Sequence, residues 1–457
     1  MMRNRGHVRE RSMVQRILLR LFAVLFGLAL GWGASELALG CIIRQDADGN
    51  RYFRKGYLCP YHMPLHRLRE MLTLYHSSDS TAVVYSPELG WDSRPVVTAS
   101  DGRRVVSPGF RAHRSATDYT PSPPPDTVRI LLFGDSFTAC PTTENESWGW
   151  YLESGLLAHD VPVQVLNFGM GGYGIDQAYL RWKKYGRAFA PDIVIFGFQP
   201  ENVMRDLNLI RLIYTHDTGL PFSKPRFVRT DGRLELVNCP AAPPDSLPHI
   251  LAHLPDWPLL RYETFYAPEE YRSHWWLRSR VIAFATAVPR FKSVGWAAEE
   301  RRRFDPASEG GGLALDIVRR FRDDVTSAGA TFLVVHLPRR VDLTALVGDR
   351  PVLTYSALLD ELRRQCTVID PIAEMRRAAL DGGVAVLFRK DSHYNARGNR
   401  AVGDALARYF LEHGMGVARV DTQEGRRPPR AVLPAPLHAR RTGGRPTGAA
   451  NPVAGSR

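Results

Sequence analysis

The chain has 457 residues, of which 44% are hydrophobic and 10% aromatic, enough to build packed domains and too apolar for a wholly disordered chain. Its 60 Lys and Arg outnumber 47 Asp and Glu, for a formal charge of +13. The excess is mostly Arg at the two ends. No basic helix interleaved with aromatics lies between them, so the pattern reads as solvated tails and argues against a nucleic-acid partner.

The N-terminus carries an address. Arg3, Arg5, Arg9, Arg11 and Arg16 precede an apolar run over residues 17–35, broken only by Arg20, which can snorkel to an interface. About twenty apolar residues span a bilayer core. The positive-inside rule then puts residues 1–16 in the cytoplasm and the rest of the chain outside. A cleaved signal peptide is the alternative. No Ala-x-Ala site follows, and Ala38-Leu39-Gly40-Cys41 is a poor lipoprotein-type site. The expectation is an uncleaved, single-pass signal anchor at the cell membrane with an extracytoplasmic body. Cys41, Cys59, Cys140, Cys239 and Cys366 show no Cys-x-x-Cys spacing, so no metal is expected. Disulfides persist in exported domains, but the spacing alone does not pair these five.

Residues 45–126 form an irregular lead-in. Glu88-Leu89-Gly90-Trp91 and Ser107-Pro108-Gly109-Phe110-Arg111 read as turns, each presenting an aromatic to a neighbouring domain. A Pro-rich spacer at 121–125 ends the segment. The pattern is regular over 127–202. Apolar stretches at 128–133, 163–168 and 193–198 alternate with helical spacings at about 148–158 and 175–184. Such alternation predicts βαβ units, a parallel sheet and right-handed crossovers. Residues 203–312 break it, with Trp257, Tyr262, Phe265 and Tyr266, then His274-Trp275-Trp276. They read either as an insertion over the site or as a subdomain whose aromatics are core. Regularity resumes over 313–420. It predicts helices at 315–327, 355–365, 372–380 and 398–413, and strands at 331–336 and 368–370. Residues 421–457 are rich in Arg, Pro, Gly and Ala and are expected to be disordered.

The strand at 128–133 runs straight into Gly134-Asp135-Ser136. That places a hydroxyl at the carboxyl end of the sheet, where open α/β sheets keep their sites. A serine is a weak nucleophile and needs a base. His393 can serve if Asp391 holds its tautomer. The oxyanion needs donors in place: the N–H groups of Ser136 and Gly172 and the side-chain amide of Asn202. Each residue has a plainer role too. Ser136 caps the next helix, Asp391 and His393 cap the last one, His336 is a packed histidine, and Asp135 is structural, accepting backbone hydrogen bonds in its turn.

Gly134-Asp135-Ser136-Phe137, Asn167-Phe168-Gly169 with Gly172, Asn202, and Asp391-x-His393 with Asn395 resemble the four blocks of the SGNH (GDSL-type) hydrolases, in that family's order. The resemblance covers roughly 128–202 and 314–414. Leu89-Gly90-Trp91 and Gly109-Phe110-Arg111 look like features of its membrane-anchored bacterial members. The resemblance implies a flavodoxin-like three-layer α/β/α sandwich and serine-dependent ester hydrolysis without a cofactor. It makes Ser136 the nucleophile, Gly172 and Asn202 oxyanion residues, and Asp391 and His393 the rest of the triad. Two blocks depart from the family. The third reads Gly197-Phe198-Gln199-Pro200-Glu201-Asn202 in place of Gly-x-Asn-Asp, so Gln199 or Glu201 competes with Asn202 for the site. The last has Asp-x-His instead of Asp-x-x-His, which resembles a sugar-modifying branch. Three functions fit: an esterase for acylated small molecules or polysaccharide, an O-acyltransferase or deacetylase of an envelope or exported polysaccharide, and a non-catalytic carbohydrate-binding or scaffold subunit.

Overall fold

Strand Val128–Gly134 (β1) sends Leu131 and Phe133 to one face and Ile130 and Leu132 to the other, and all four are fully buried. A strand apolar on both faces belongs in a parallel sheet covered by helices on both sides. The computed structural model, which describes residues 4–54, 56–77, 83–93, 96–98, 104–106, 119–140, 144–215, 218–291, 293–347, 353–380 and 382–415, has that arrangement. β1 joins Val163–Asn167 (β2), Ile193–Phe198 (β3), Thr331–His336 (β4) and Val368–Ile369 (β5). All neighbours are parallel, in the order β5-β4-β3-β1-β2. This is the flavodoxin-like order, with its switch point between β1 and β3.

One face carries helices Ile175–Lys184 (α4), Glu309–Ser327 (α7) and Ser356–Gln365 (α8), which bury Trp182, Phe321 and Leu358 against the sheet. The other carries Trp148–Leu157 (α3), Ile372–Ala379 (α9) and Ala396–His413 (α10), which bury Trp148, Met375 and Leu406. Each fully buried large side chain contributes roughly 1.5–3 kcal/mol. Three layers result. α7 begins six residues before the expected 315, because Gly310, Gly311 and Gly312 hide its apolar period. Ser308 caps it, accepting from Gly311 N at 3.0 Å. A Cβ at Gly311 would lie 2.1 Å from the Asp305 carbonyl, so only glycine fits there.

The stretch between β3 and α7 builds its own core. Leu209, Ile210, Leu212 and Ile213 pack with Leu247, Leu251 and Leu254, and the lead-in adds Leu68 and Leu72. Trp257, Tyr262, Phe265 and Tyr266 are half-buried and pack against that cluster. Trp275 and Trp276 are exposed. The lead-in also enters the main core, where Leu89 and Trp91 are fully buried. The second lead-in motif, at 107–111, and the tail at 421–457 lie outside the described residues. Cys41, Cys140, Cys239 and Cys366 are free thiols.

Helix Asn4–Ile42 (α1) contains the apolar stretch Gln15–Ile42, none of it buried. Among the described residues it is the one helix long and apolar enough to cross a membrane. Glu36 near its end accepts from the Ser279 hydroxyl, from Arg280 N at 2.9 Å and from Val281 N at 3.2 Å. These bonds satisfy the amino end of helix Arg280–Phe291 (α6).

Candidate active site

β1 ends at Gly134, which pairs with Gly197 of β3. A Cβ at either glycine would come within 2.3 Å of Thr138 Oγ1, so the pair lets the next turn fold back tightly over the strand ends. Asp135 caps that turn, its Oδ1 accepting from Phe137 N at 2.9 Å. Ser136 is thereby the first residue of helix Ser136–Ala139 (α2), at the carboxyl edge of the sheet.

Asp135 is fully buried, and its other oxygen does more than turn chemistry. Oδ2 accepts from Arg205 Nη1 at 2.6 Å and from Asn202 Nδ2 at 3.1 Å. Both donors also bond the Tyr173 carbonyl, each at 3.1 Å. Arg205 and Asn202 belong to helix Glu201–Arg205 (α5). They clamp the loop of Ser136 to the loop of Gly172. Burial alone would lower the Arg205 pKa, but Glu201 and Asp135 outweigh it and hold the guanidinium charged.

The Gly172 loop is held from three further sides. Asn167 Nδ2 donates to the Thr138 carbonyl at 2.6 Å, and Met170 N to the Gly134 carbonyl at 3.0 Å. Trp91 Nε1 donates to the Gly171 carbonyl at 3.0 Å, while the Tyr173 hydroxyl donates to the Trp91 carbonyl at 2.6 Å. Gly172 has φ +79°, a left-handed conformation that other residues adopt only at a cost. Among the described residues, neither Ser136 N–H nor Gly172 N–H meets an acceptor.

His393 Nε2 lies 2.8 Å from Ser136 Oγ, and its ring packs on Phe137 with centroids 5.1 Å apart. Its neighbour Tyr394 is buried and donates to the Pro338 carbonyl at 2.7 Å, which fixes the loop. Ser392 takes φ +68° and so folds Asp391 back toward the ring. Asp391 Oδ1 stands 3.4 Å from Nδ1 and accepts His393's own backbone N–H at 3.2 Å. Nδ1 makes no hydrogen bond of good geometry. The Asp391 pKa is lowered: a small burial cost is outweighed by that backbone N–H, the imidazole and Arg389. Asn395 caps α10, accepting from Arg397 N at 3.0 Å and Gly398 N at 3.1 Å, so neither Asp391 nor His393 has that task.

The third block is bonded within itself. Asn202 Oδ1 accepts from Gln199 N at 2.8 Å, and Gln199 Oε1 from Glu201 N at 2.6 Å. Glu201 pairs with Arg205 at 3.1 Å and accepts the Tyr214 hydroxyl at 2.8 Å. Burial opposes its charge, but Arg205, that hydroxyl and Arg211 pull its pKa down to about 2. Asn202, expected to aim at the oxyanion, spends both amide hydrogens on Asp135 and Tyr173. His336 is fully buried, between Asp370 Oδ1 at 3.1 Å and the Tyr355 hydroxyl at 2.9 Å. Arg205 and Arg211 do not stand out in the sequence, because the partners of the clamp, Asp135 and Tyr173, lie far from them in the chain.

No family model and no curated protein matches the chain. Solved structures are similar to it. An acetyl xylan esterase, AlAXEase, is 12% identical, with 62% of this chain and 99% of that one covered at a TM-score of 0.34. The acetylxylan esterase Axe2 from Geobacillus stearothermophilus is 12% identical, with coverages of 62% and 93% and a TM-score of 0.32. A lipolytic protein of the G-D-S-L family from Desulfitobacterium hafniense is 10% identical, with coverages of 62% and 98% and a TM-score of 0.29. The likeness concerns the fold. The strand order is that of a flavodoxin-like α/β/α sandwich.

Proposed function

We propose that the chain is a serine ester hydrolase of SGNH type, fixed to a membrane by α1 with its catalytic domain on the extracytoplasmic side. The observation that carries the reading is the 2.8 Å approach of His393 Nε2 to Ser136 Oγ, beside two backbone N–H groups without acceptors. Ser136 Oγ attacks the ester carbonyl while Nε2 takes its proton. The oxyanion is met by the N–H groups of Ser136 and Gly172, already oriented by the Asp135 clamp. His393 returns the proton to the leaving alcohol, then activates a water that releases the acyl group. Asp391 steadies the imidazolium from 3.4 Å. Asn202 acts here as a positioning residue rather than as the third donor. The membrane reading is supported by the exposed apolar helix and the Arg cluster before it.

The test is labelling with a fluorophosphonate probe, beside hydrolysis of short nitrophenyl esters. Wild type is expected to label and turn over, and Ser136→Ala and His393→Ala to do neither. A folded wild type that fails to label would refute the triad and favour a binding or scaffold subunit.

A further inference from the structure

Arg211 is 8% exposed and sits beside the Gly172 loop: its Cζ is 3.9 Å from where a Cβ on Gly172 would be. Its Nε and Nη1 are buried and make no hydrogen bond. The carboxylates near it are taken. Glu201 is bonded to Arg205 and Tyr214, and Asp135 to Arg205 and Asn202. The guanidinium lies against the face of Tyr214, 5.0 Å from its centroid, which neutralises no charge. Burial, with the cation of Arg205 beside it, drives the Arg211 pKa down to about 10. Glu201 and Asp135 lend it some charge compensation, but buried donors left without acceptors are costly to a fold, and proteins keep them where something else supplies the acceptor.

The surroundings hold the residue in place. Arg211 N donates to the Phe222 carbonyl at 3.1 Å. The preceding turn is gathered by one buried carboxylate oxygen, Glu263 Oε2, which accepts from Asn208 Nδ2, Leu209 N and Ile210 N at 3.0, 2.7 and 3.0 Å. This stretch between β3 and α7 therefore holds a guanidinium with two open nitrogens beside the Gly172 loop.

We propose that Arg211 is an anion-recognising subsite of the acyl-transfer centre, and that the natural ester carries a compact oxyanion, such as a carboxylate, close to its scissile carbonyl. Planar guanidinium donors suit carboxylate, phosphate and sulfate alike. The inference rests on the serine-hydrolase reading, and the experiment separates the two.

The full chain in detergent is assayed with three nitrophenyl esters: the acetate, the hemisuccinate with its free carboxylate, and the methyl succinate that masks it. Wild type is expected to prefer the hemisuccinate over its methyl ester by about tenfold or more in kcat/KM, the scale of a charge-assisted contact. Arg211→Met should collapse that ratio to near one, and Arg211→Lys should restore part of it. Succinate, phosphate and sulfate as competitive inhibitors rank the anions, and their inhibition should vanish in Arg211→Met. The same variant should also shift the urea midpoint upward, since it replaces an unpaired buried charge with an apolar chain of similar volume. A wild type that hydrolyses the neutral esters with no anionic preference would overturn the subsite and leave the hydrolase standing. So would an Arg211→Met variant that slows all three esters equally, because that is the signature of an oxyanion donor. No turnover or labelling in any form would remove the hydrolase reading itself.

Discussion

Asp391 is the weak member of the proposed triad, and its weakness is measurable. Its Oδ1 is 3.4 Å from His393 Nδ1, and its side chain is 46% exposed. Two unit charges at that distance interact by roughly 1.2 kcal/mol in bulk water and by about 5 kcal/mol at the effective dielectric near a protein surface. Nearly half of the carboxylate faces water and no well-formed hydrogen bond joins it to the ring, which places the benefit to the imidazolium at about 1–2 kcal/mol. At about 1.4 kcal/mol per tenfold, Asp391→Asn should slow kcat by roughly 5–30-fold. A buried, tightly bonded carboxylate would cost about ten-thousandfold instead. The assay is kcat and kcat/KM on nitrophenyl acetate, with the rate of fluorophosphonate labelling as a second reading of the same base. A loss beyond a thousandfold would refute the exposed geometry. No loss at all would refute any role for Asp391, leaving a Ser–His dyad.

The clamp should reveal itself as stability. Arg205→Met leaves the Asp135 carboxylate buried without its cation, and should cost about 3–5 kcal/mol in urea unfolding; a loss under about 1 kcal/mol would mean the pair is dispensable. Gly172→Ala forces a side chain into φ +79° with Leu220 Cδ1 only 3.0 Å from the new Cβ. The strain is about 1–2 kcal/mol, and kcat should fall about 10–100-fold as the N–H donor moves. The pH dependence of stability follows from Glu201, whose folded pKa of about 2 lies below its ordinary 4.5. Because the folded value is the lower one, this contribution is complete above about 4.5 and fades as pH falls toward 2. Urea midpoints across that window should decline less steeply in Glu201→Gln than in wild type.

The sheet was legible because its strands are buried on both faces. Ile130–Phe133 and Ile193–Phe198 are continuous apolar runs that leave little room for another reading. The start of α7 was not, since Gly310–Gly312 carry no side chain to mark a period. The approach of His393 to Ser136 and the positive φ of Gly172 were legible from short motifs tied to turns with special backbone needs. Asn202 was legible as a site residue but not in its task, because the occupancy of its amide depends on Asp135 and Tyr173, far away in the chain. Arg211 was invisible for a related reason. A chain with so many arginines gives no hint which one folding leaves unpaired. The aromatics at 257–266 could be read equally as core or as substrate surface, since their packing against the cluster of Leu247 and Leu251 joins residues the sequence does not link.

The bonds from Trp91 alter what counts as the smallest working piece of this protein. Leu89 and Trp91 lie in the same core as Phe133 and Trp182, and Asp92 is paired with Arg181 of α4 at 2.5 Å, both side chains buried. A fragment cut at residue 127, just ahead of β1, would keep Ser136, Gly172, Asn202, His393 and the whole sheet. It would lose the indole that holds the Gly171 carbonyl and would strand Arg181 in the interior. The autonomous folding unit thus starts upstream of Leu89. An N-terminal deletion that removes Leu89–Asp92 should therefore cripple the molecule although the whole sheet remains.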